Sequence, residues 1–243
     1  MINEPIALTT VDFQQAWLEV VRMLIRFRWR QRNLIVQIKN PNLFDQDFHD
    51  LVTDFARRES LLGPKHVAYT IFPHGLYRGK GNWQSLFKEY NRKNGLFERL
   101  HRRKPSWGTY FRRMTHYDKA GEIVNQLGNI IKAIKKRQKV SRAAYTVIIQ
   151  NPGGETLRPL GGPCLNYLAV QIESGNSMVL GLLAVYRNHE FIERAYGNYW
   201  GLCNLLRFLA LEVGAVTGPL TCISSNAYVA QKKTALKMFV ESL

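Results

Sequence analysis

The sequence predicts an α+β chain, because helical and extended hydrophobic spacings both recur along it and one long C-terminal run is apolar almost throughout. The helical spacing first appears over 11–27, where Phe13, Trp17, Val20, Val21, Leu24 and Ile25 share one face. Residues 33–39 read as a strand stopped by Asn40-Pro41-Asn42, and 48–60 as a helix ending near Gly63-Pro64. The stretch 66–72 reads as another strand, followed by a glycine-bearing loop over 73–82. Residues 83–100 read as helix and break at Pro105-Ser106-Trp107-Gly108; Ile123, Val124, Leu127, Ile130, Ile131 and Ile134 mark the face of the next. Residues 143–149 read as a strand apolar on both faces, which predicts that both faces of the sheet are covered. Strands over 166–173 and 178–187 are joined by Ser174-Gly175-Asn176-Ser177, the chemistry of a hairpin turn. Residues 191–213 then form a heavily apolar helix ending at Gly214, the expected central helix of the core.

A chain of 243 residues with 46% hydrophobic content can bury one large core, and a single domain over 1–243 is expected. No apolar run is long enough to span a bilayer, and Met1-Ile2-Asn3-Glu4-Pro5 has neither a basic nor an apolar leader region, so a cytoplasmic, membrane-free protein is expected. The three cysteines, Cys164, Cys203 and Cys222, are an odd number without metal-ligand spacing, which argues against a disulfide framework or a zinc site. Cys203 and Cys222 lie in apolar runs and read as packing residues. The 34 Lys+Arg against 18 Asp+Glu leave a formal charge of +16, so an anionic ligand or partner is expected. The cations cluster over 26–32, over 99–104 with Arg112 and Arg113, and over 132–139. The last cluster partly complements a helix C-terminus. Nucleic-acid phosphates are a candidate partner for such clusters, although no helix-turn-helix, zinc-finger or RNA-recognition signature accompanies them.

Cys164 draws attention because it follows Gly161-Gly162-Pro163 and opens a strand, a placement that holds a side chain at the mouth of a cleft. A free cysteine is by default a small buried hydrophobe. The downstream pattern shifts that balance. Arg187 ends the second strand of the hairpin and so neighbours Cys164, where a cation is expected to lower the thiol pKa from about 8.5 and favour the nucleophilic thiolate. Asn198 interrupts the apolar helix, and its buried amide needs partners for donor and acceptor, either a ligand ring edge or nearby protein groups.

The order Pro163-Cys164, Tyr186-Arg187-Asn188, Gly197-Asn198 and Asn226-Ala227-Tyr228 resembles the thymidylate synthase family. There a Pro-Cys nucleophile, a Gln-Arg-Ser strand end, a helix asparagine and a His-x-Tyr segment follow in the same order, with the same step from arginine to asparagine. Upstream, Trp107-Gly108-Thr109-Tyr110-Phe111-Arg112 looks like the family's Tyr-Gly-x-x-Trp-Arg segment, and Ser141-Arg142 like its Ser-Arg-Arg phosphate clamp. Arg32 is the loose counterpart of its mobile phosphate-binding arginine. The resemblance covers 107–243. It implies an α+β fold with a large twisted mixed sheet packed with helices, and a homodimer joined through the sheet.

By the same resemblance, Cys164 would add to C6 of a pyrimidine nucleoside monophosphate. C5 would then attack the one-carbon unit of 5,10-methylenetetrahydrofolate. Arg187 and Asn188, with Arg142 of a twofold partner, would hold the 5′-phosphate; Asn198 would read a uracil-type edge, since cytosine-specific relatives carry aspartate there; and Tyr228 would meet the sugar. Several positions depart from the family. Trp107 replaces its tyrosine, Ala143 the second clamp arginine and Asn226 the histidine; if Gly79-Lys80-Gly81-Asn82 is the counterpart of the family's Gly-x-x-Asn segment, the position of its general acid-base glutamate falls near Phe72 and Pro73, with no carboxylate. His74 is adjacent to that position, and Glu59, His66 and His74 are the acid-base candidates in the first 80 residues. Two readings follow: an enzyme that methylates or hydroxymethylates C5, and a nucleotide-binding homologue without catalysis that uses its basic surface on nucleic acid or protein.

Overall fold

A computed structural model describes residues 4–78, 81–100, 108–119, 121–136, 145–151 and 162–243. In chain order the elements are β1 (Ile6–Thr10), α1 (Phe13–Arg26), β2 (Arg30–Ile38), α2 (Gln46–Arg58), α3 (Pro64–Ile71), α4 (His74–Arg78), α5 (Trp83–Leu100), α6 (Tyr110–Thr115), β3 (Tyr117–Lys119), β4 (Glu122–Val124), α7 (Gln126–Lys136), β5 (Tyr145–Ile148), β6 (Leu165–Ser174), β7 (Met178–Tyr186), β8 (His189–Glu190), α8 (Ala195–Val213), β9 (Val216–Tyr228) and α9 (Lys233–Glu241). Local chemistry fixes several ends. The Asp12 carboxylate accepts from the Gln14 and Gln15 N–H groups at 2.8 Å each and starts α1, and Asp45 starts α2 through the Phe48 N–H. Gly214, at φ 72°, ends α8 in the left-handed conformation.

The main sheet is mixed, ordered β1-β2-β9-β7-β6-β5, with β8 beside the end of β9. β9 is its spine, antiparallel to β2 and parallel to β7 and β8. Consecutive cross-strand neighbours Val147, Leu168, Ala184, Cys222 and Val36 are fully buried on the face that meets the helices. The next row, on the opposite face, runs Ile148, Tyr167, Val185, Ile223, Ile35 and Ala7. Ile148 and Ala7 are exposed there and the others only half-buried. This corrects the expectation of cover on both faces of 143–149: in the described part of that stretch Thr146 and Ile148 are exposed, and β5 is an edge strand.

α8 is the central helix, buried on nearly every side. It lies against α3, and the stretch 66–72 is therefore helical rather than the strand its β-branched and aromatic residues predict. Pro64 sits in the first turn, and Val67, Ala68 and Ile71 form one buried face. Gly197 and Gly201 of α8 admit that face: a Cβ at 197 would stand 2.6 Å from Val67 Cβ and 2.7 Å from the Pro64 carbonyl oxygen, and one at 201 would stand 2.8 Å from the Ala68 carbonyl oxygen. The loop expected over 73–82 contains α4. The helix expected from residue 191 begins at Ala195. No described helix is long and apolar enough to cross a membrane.

Candidate functional site

The ends of β6, β7, β8 and β9 meet the first turn of α8 at one edge of the sheet, and a cleft of about 360 Å3 opens there. Its walls are Val67 and Thr70 of α3, Gly108 and Tyr110, Gly162 and Cys164, then Asn188, His189, Glu190, Arg194, Asn198 and Tyr228. Cys164 is fixed through its backbone. Its N–H donates to Tyr110 Oη at 3.3 Å, and its carbonyl accepts from the Arg187 N–H at 2.9 Å, the antiparallel contact expected at that end of the hairpin.

The Arg187 side chain serves the turn more than the thiol. Its Nε donates to the Pro163 carbonyl at 3.1 Å, and its Nη2 lies where a Cβ on Gly162 would approach to 3.3 Å. Arg187 and Arg194 both pull the Cys164 pKa down, but burial outweighs them and pushes the thiol above its ordinary value. The expected net activation of the thiol by Arg187 is thus corrected: with most of the side chain withdrawn from water, charging the sulfur costs more than two guanidinium groups return.

Asn188, Asn198 and Tyr228 join Cys164 in the cleft. Asn226 stands just behind them, donating from Nδ2 to Asn188 Oδ1 at 2.9 Å. Arg32 lies opposite Asn226, and Arg30 opposite Tyr228, in the register of β2 and β9, and neither arginine is among the lining residues; burial, Glu190 and Cys164 raise the Tyr228 pKa, with Arg30 opposing them. Trp107 and Arg142 lie outside the described residues. The three acid-base candidates are not among the lining residues: the His74 ring sits 6.2 Å from that of Phe72, Glu59 pairs with Lys232 at 3.2 Å, and His66 is in the first turn of α3.

The titratable groups that do stand in the cleft include two that sequence reasoning missed, His189 and Glu190. Glu190 accepts from the Ile192, Glu193 and Ala230 N–H groups at 3.1, 2.7 and 3.3 Å, and burial raises its pKa against those bonds. His189, 1% exposed, stacks on the Tyr186 ring at 4.1 Å and is held neutral by burial, its pKa lowered to about 3. The signal for both was the polar pair directly after Tyr186-Arg187-Asn188, which acquires meaning only once β8 is seen beside β9. Arg194, which supplies the cleft with a cation, was likewise not singled out. Such a site can hold an anion, present a thiol and a carboxylate to one planar ring, and hydrogen-bond that ring through an amide. No protein-family model matches this chain, and no curated protein matches it.

Proposed function

We propose that the cleft binds a uracil-type pyrimidine nucleoside monophosphate and that Cys164 adds to C6 of its ring, activating C5. The observation that carries this reading is the convergence of Cys164, Glu190, Asn198, Asn188 and Tyr228 from separate elements on one cleft of mononucleotide size. The thiol adds as thiolate: the S–C6 bond forms, the C5–C6 π pair moves to C5 and O4, and C5 becomes nucleophilic. After C5 has bonded to an electrophile, here a proton from solvent or a one-carbon unit, its original proton must leave. Glu190, the carboxylate among the lining residues, is the group we assign to take it, and its raised pKa suits exchange in both directions. Asn198 pairs with the ring edge, Tyr228 with the sugar, and Asn188 with Arg194 and Arg187 holds the 5′-phosphate. A one-carbon donor at the formaldehyde level, 5,10-methylenetetrahydrofolate, would turn the same activation into methylation, with the reduced folate supplying the hydride, or into hydroxymethylation, with water adding to the methylene carbon; in each case the C5=C6 bond re-forms as the Cys164 thiolate leaves C6. The described lining fits one mononucleotide and gives a folate no anchor of its own, so the donor rests on the chemistry of C5.

The same reading makes the protein a homodimer through the half-buried apolar row Ile148, Tyr167, Val185, Ile223 and Ile35, with Arg142 of the second copy completing the phosphate site. The test of function is release of tritium from C5-labelled dUMP, UMP, dCMP and CMP, with and without methylenetetrahydrofolate. Release from a uracil nucleotide is expected, and Cys164→Ser should reduce it on the order of 10³-fold or more while leaving nucleotide affinity in place. Nucleotide binding with no release would make the cleft a binding pocket without this chemistry.

A further inference from the structure

The formal charge of +16 is more than a mononucleotide calls for: its phosphate carries about two negative charges, and Arg194 already stands in the cleft with Arg187 close by. Part of the excess is gathered beside the cleft. Arg22, Arg26, Arg28 and Arg30 run from the last turns of α1 through a turn into β2; all four are exposed, and none forms an ion pair among the described residues. Arg26 complements the C-terminal end of the α1 dipole, whereas Arg28 and Arg30 lie beyond it. The Arg30 N–H donates to the Phe27 carbonyl at 3.3 Å and closes a turn whose central residues, Arg28 and Trp29, have φ of 53° and 70°. Asn-Gly adopts such a turn without strain, so a cation and an indole are held at its apex against backbone preference. The apex is pinned on both sides. The Trp29 N–H donates to the Leu24 carbonyl at 2.7 Å, and the Trp29 carbonyl accepts from the N–H of Val229, the residue after Tyr228, at 3.1 Å. Arg30 lies opposite Tyr228 and shares its sheet face, so the basic strip begins where the cleft wall ends. Away from the cleft it reaches a hollow of about 380 Å3 between β1 and α1, with Ile6, Leu8 and Phe27 in its walls beside Arg22, Arg26 and Glu19. Phe27 is 45% exposed and Trp29 half-buried, so aromatic faces alternate with guanidinium groups along the turn.

We infer that the pyrimidine received by the cleft belongs to a single-stranded nucleic acid, whose phosphates on one side of that base lie along Arg30, Arg28, Arg26 and Arg22. Guanidinium groups without carboxylate partners are free to take phosphate oxygens in paired hydrogen bonds. The interleaved aromatic faces favour a nucleic acid over an acidic protein, since a carboxylate surface needs the charge alone, whereas unpaired bases also need something to stack on. The strand must be single, because a cleft that encloses one ring cannot reach a base still paired in a duplex. The free mononucleotide is then the smallest piece of the substrate, held by the cleft without the strip. The inference rests on the nucleotide reading of the same cleft and names a larger substrate for it.

Fluorescence anisotropy tests it, with labelled strands of about 12 uridines or deoxyuridines, the same strands paired with their adenine complements, and UMP and dUMP as competitors. At least one of the single strands should bind about 100-fold or more tighter than its mononucleotide and about tenfold or more tighter than its duplex. Its affinity should fall with salt at a logarithmic slope of about −3, the value for four neutralised phosphates. Arg26→Glu with Arg28→Glu, both at exposed positions, should weaken strand binding by about 100-fold and leave mononucleotide affinity within about twofold. Phe27→Ala should weaken the strand by about fivefold or more. Saturating mononucleotide should weaken the strand as well, because both fill the cleft. Mononucleotide binding with no gain on lengthening to a strand overturns the inference and leaves the nucleotide reading standing. A strand whose affinity is unchanged under saturating mononucleotide makes the strip a separate site and overturns it too, as does a polyglutamate chain that binds as tightly as the strand. Binding of neither strand nor mononucleotide removes both readings. The wild-type titrations decide these outcomes without any variant having to fold.

Discussion

Cys164 sits beside two guanidinium groups and still keeps its proton near neutral pH, because burial of the sulfur outweighs Arg187 and Arg194 together. Alkylation of Cys164 in the free protein should therefore accelerate with pH, with its inflection above the free-thiol value of about 8.5. An inflection below that value would contradict the burial argument. Arg194→Ala, which removes a half-exposed cation from the cleft rim, should slow alkylation at fixed pH by up to about tenfold. Glu190→Gln should cut C5 tritium release by about 10²–10⁴ while nucleotide binding persists. In the wild type, release should fall on the acid side through a pKa above the ordinary carboxylate value, since a base must be ionised to accept the proton. At this scale Cys164, Asn188, Asn198 and Tyr228 were legible from type and order, because a thiol after Gly-Pro and an amide inside an apolar helix stand out locally. His189, Glu190 and Arg194 were not, because their place depends on a two-residue strand and the turn after it.

The contact between α3 and α8 decides one wall of the cleft. Gly197 and Gly201 stand one turn apart on α8 and let α3 approach until its backbone carbonyls nearly touch the glycine positions. Gly197→Ala should destabilise the protein by about 1–3 kcal/mol, as overpacking does, and should also weaken nucleotide binding, because Val67 must move and Val67 and Thr70 line the cleft. Gly201→Ala presses on Ala68 and Ile71, which do not line it, so a similar loss in urea unfolding should come with a smaller loss of affinity. Equal effects of both substitutions on binding would contradict this division. The two glycines also explain the misreading of 66–72. Val, Tyr, Thr and Ile favour a strand by propensity, and only a close-packing surface on another element makes their helical arrangement the better burial. α1, α2, α7 and α8 were legible from periodicity. β9 was not, since Gly218-Pro219 and Ser224-Ser225-Asn226 punctuate it like a loop.

For the whole molecule, pH should set a stability plateau with two edges. His189 titrates at 6.5 unfolded and about 3 folded, so below 6.5 the unfolded chain binds more protons and stability falls as pH falls, by up to about 1.4 kcal/mol per unit. Buried Cys222 goes from 9.0 to about 12, and Tyr90 and Tyr110 from 10.0 to about 12; above pH 9 the folded chain holds more protons, and stability falls as pH rises. Urea melts between those limits should be nearly flat, and a maximum outside them would contradict these burials. The half-buried apolar row on the second sheet face makes a second prediction at this scale. Sedimentation should give a dimer, and Tyr167→Glu with Val185→Glu should give a monomer of unchanged fold with reduced tritium release; a monomeric wild type would remove the shared site. The α+β class was legible in the sequence, whereas the partial exposure of the second face among the described residues was not, because strands apolar on both sides look alike whether a helix or a second copy covers them. The place of β9 in the sheet matters before any of this is in place. It joins β2 to β7, yet about 10 to 40 s of synthesis separate β2 from β9 at common elongation rates. During translation the nascent chain therefore carries two unjoined pieces of sheet with open edges, and this protein should lean on ribosome-associated chaperones until its spine emerges.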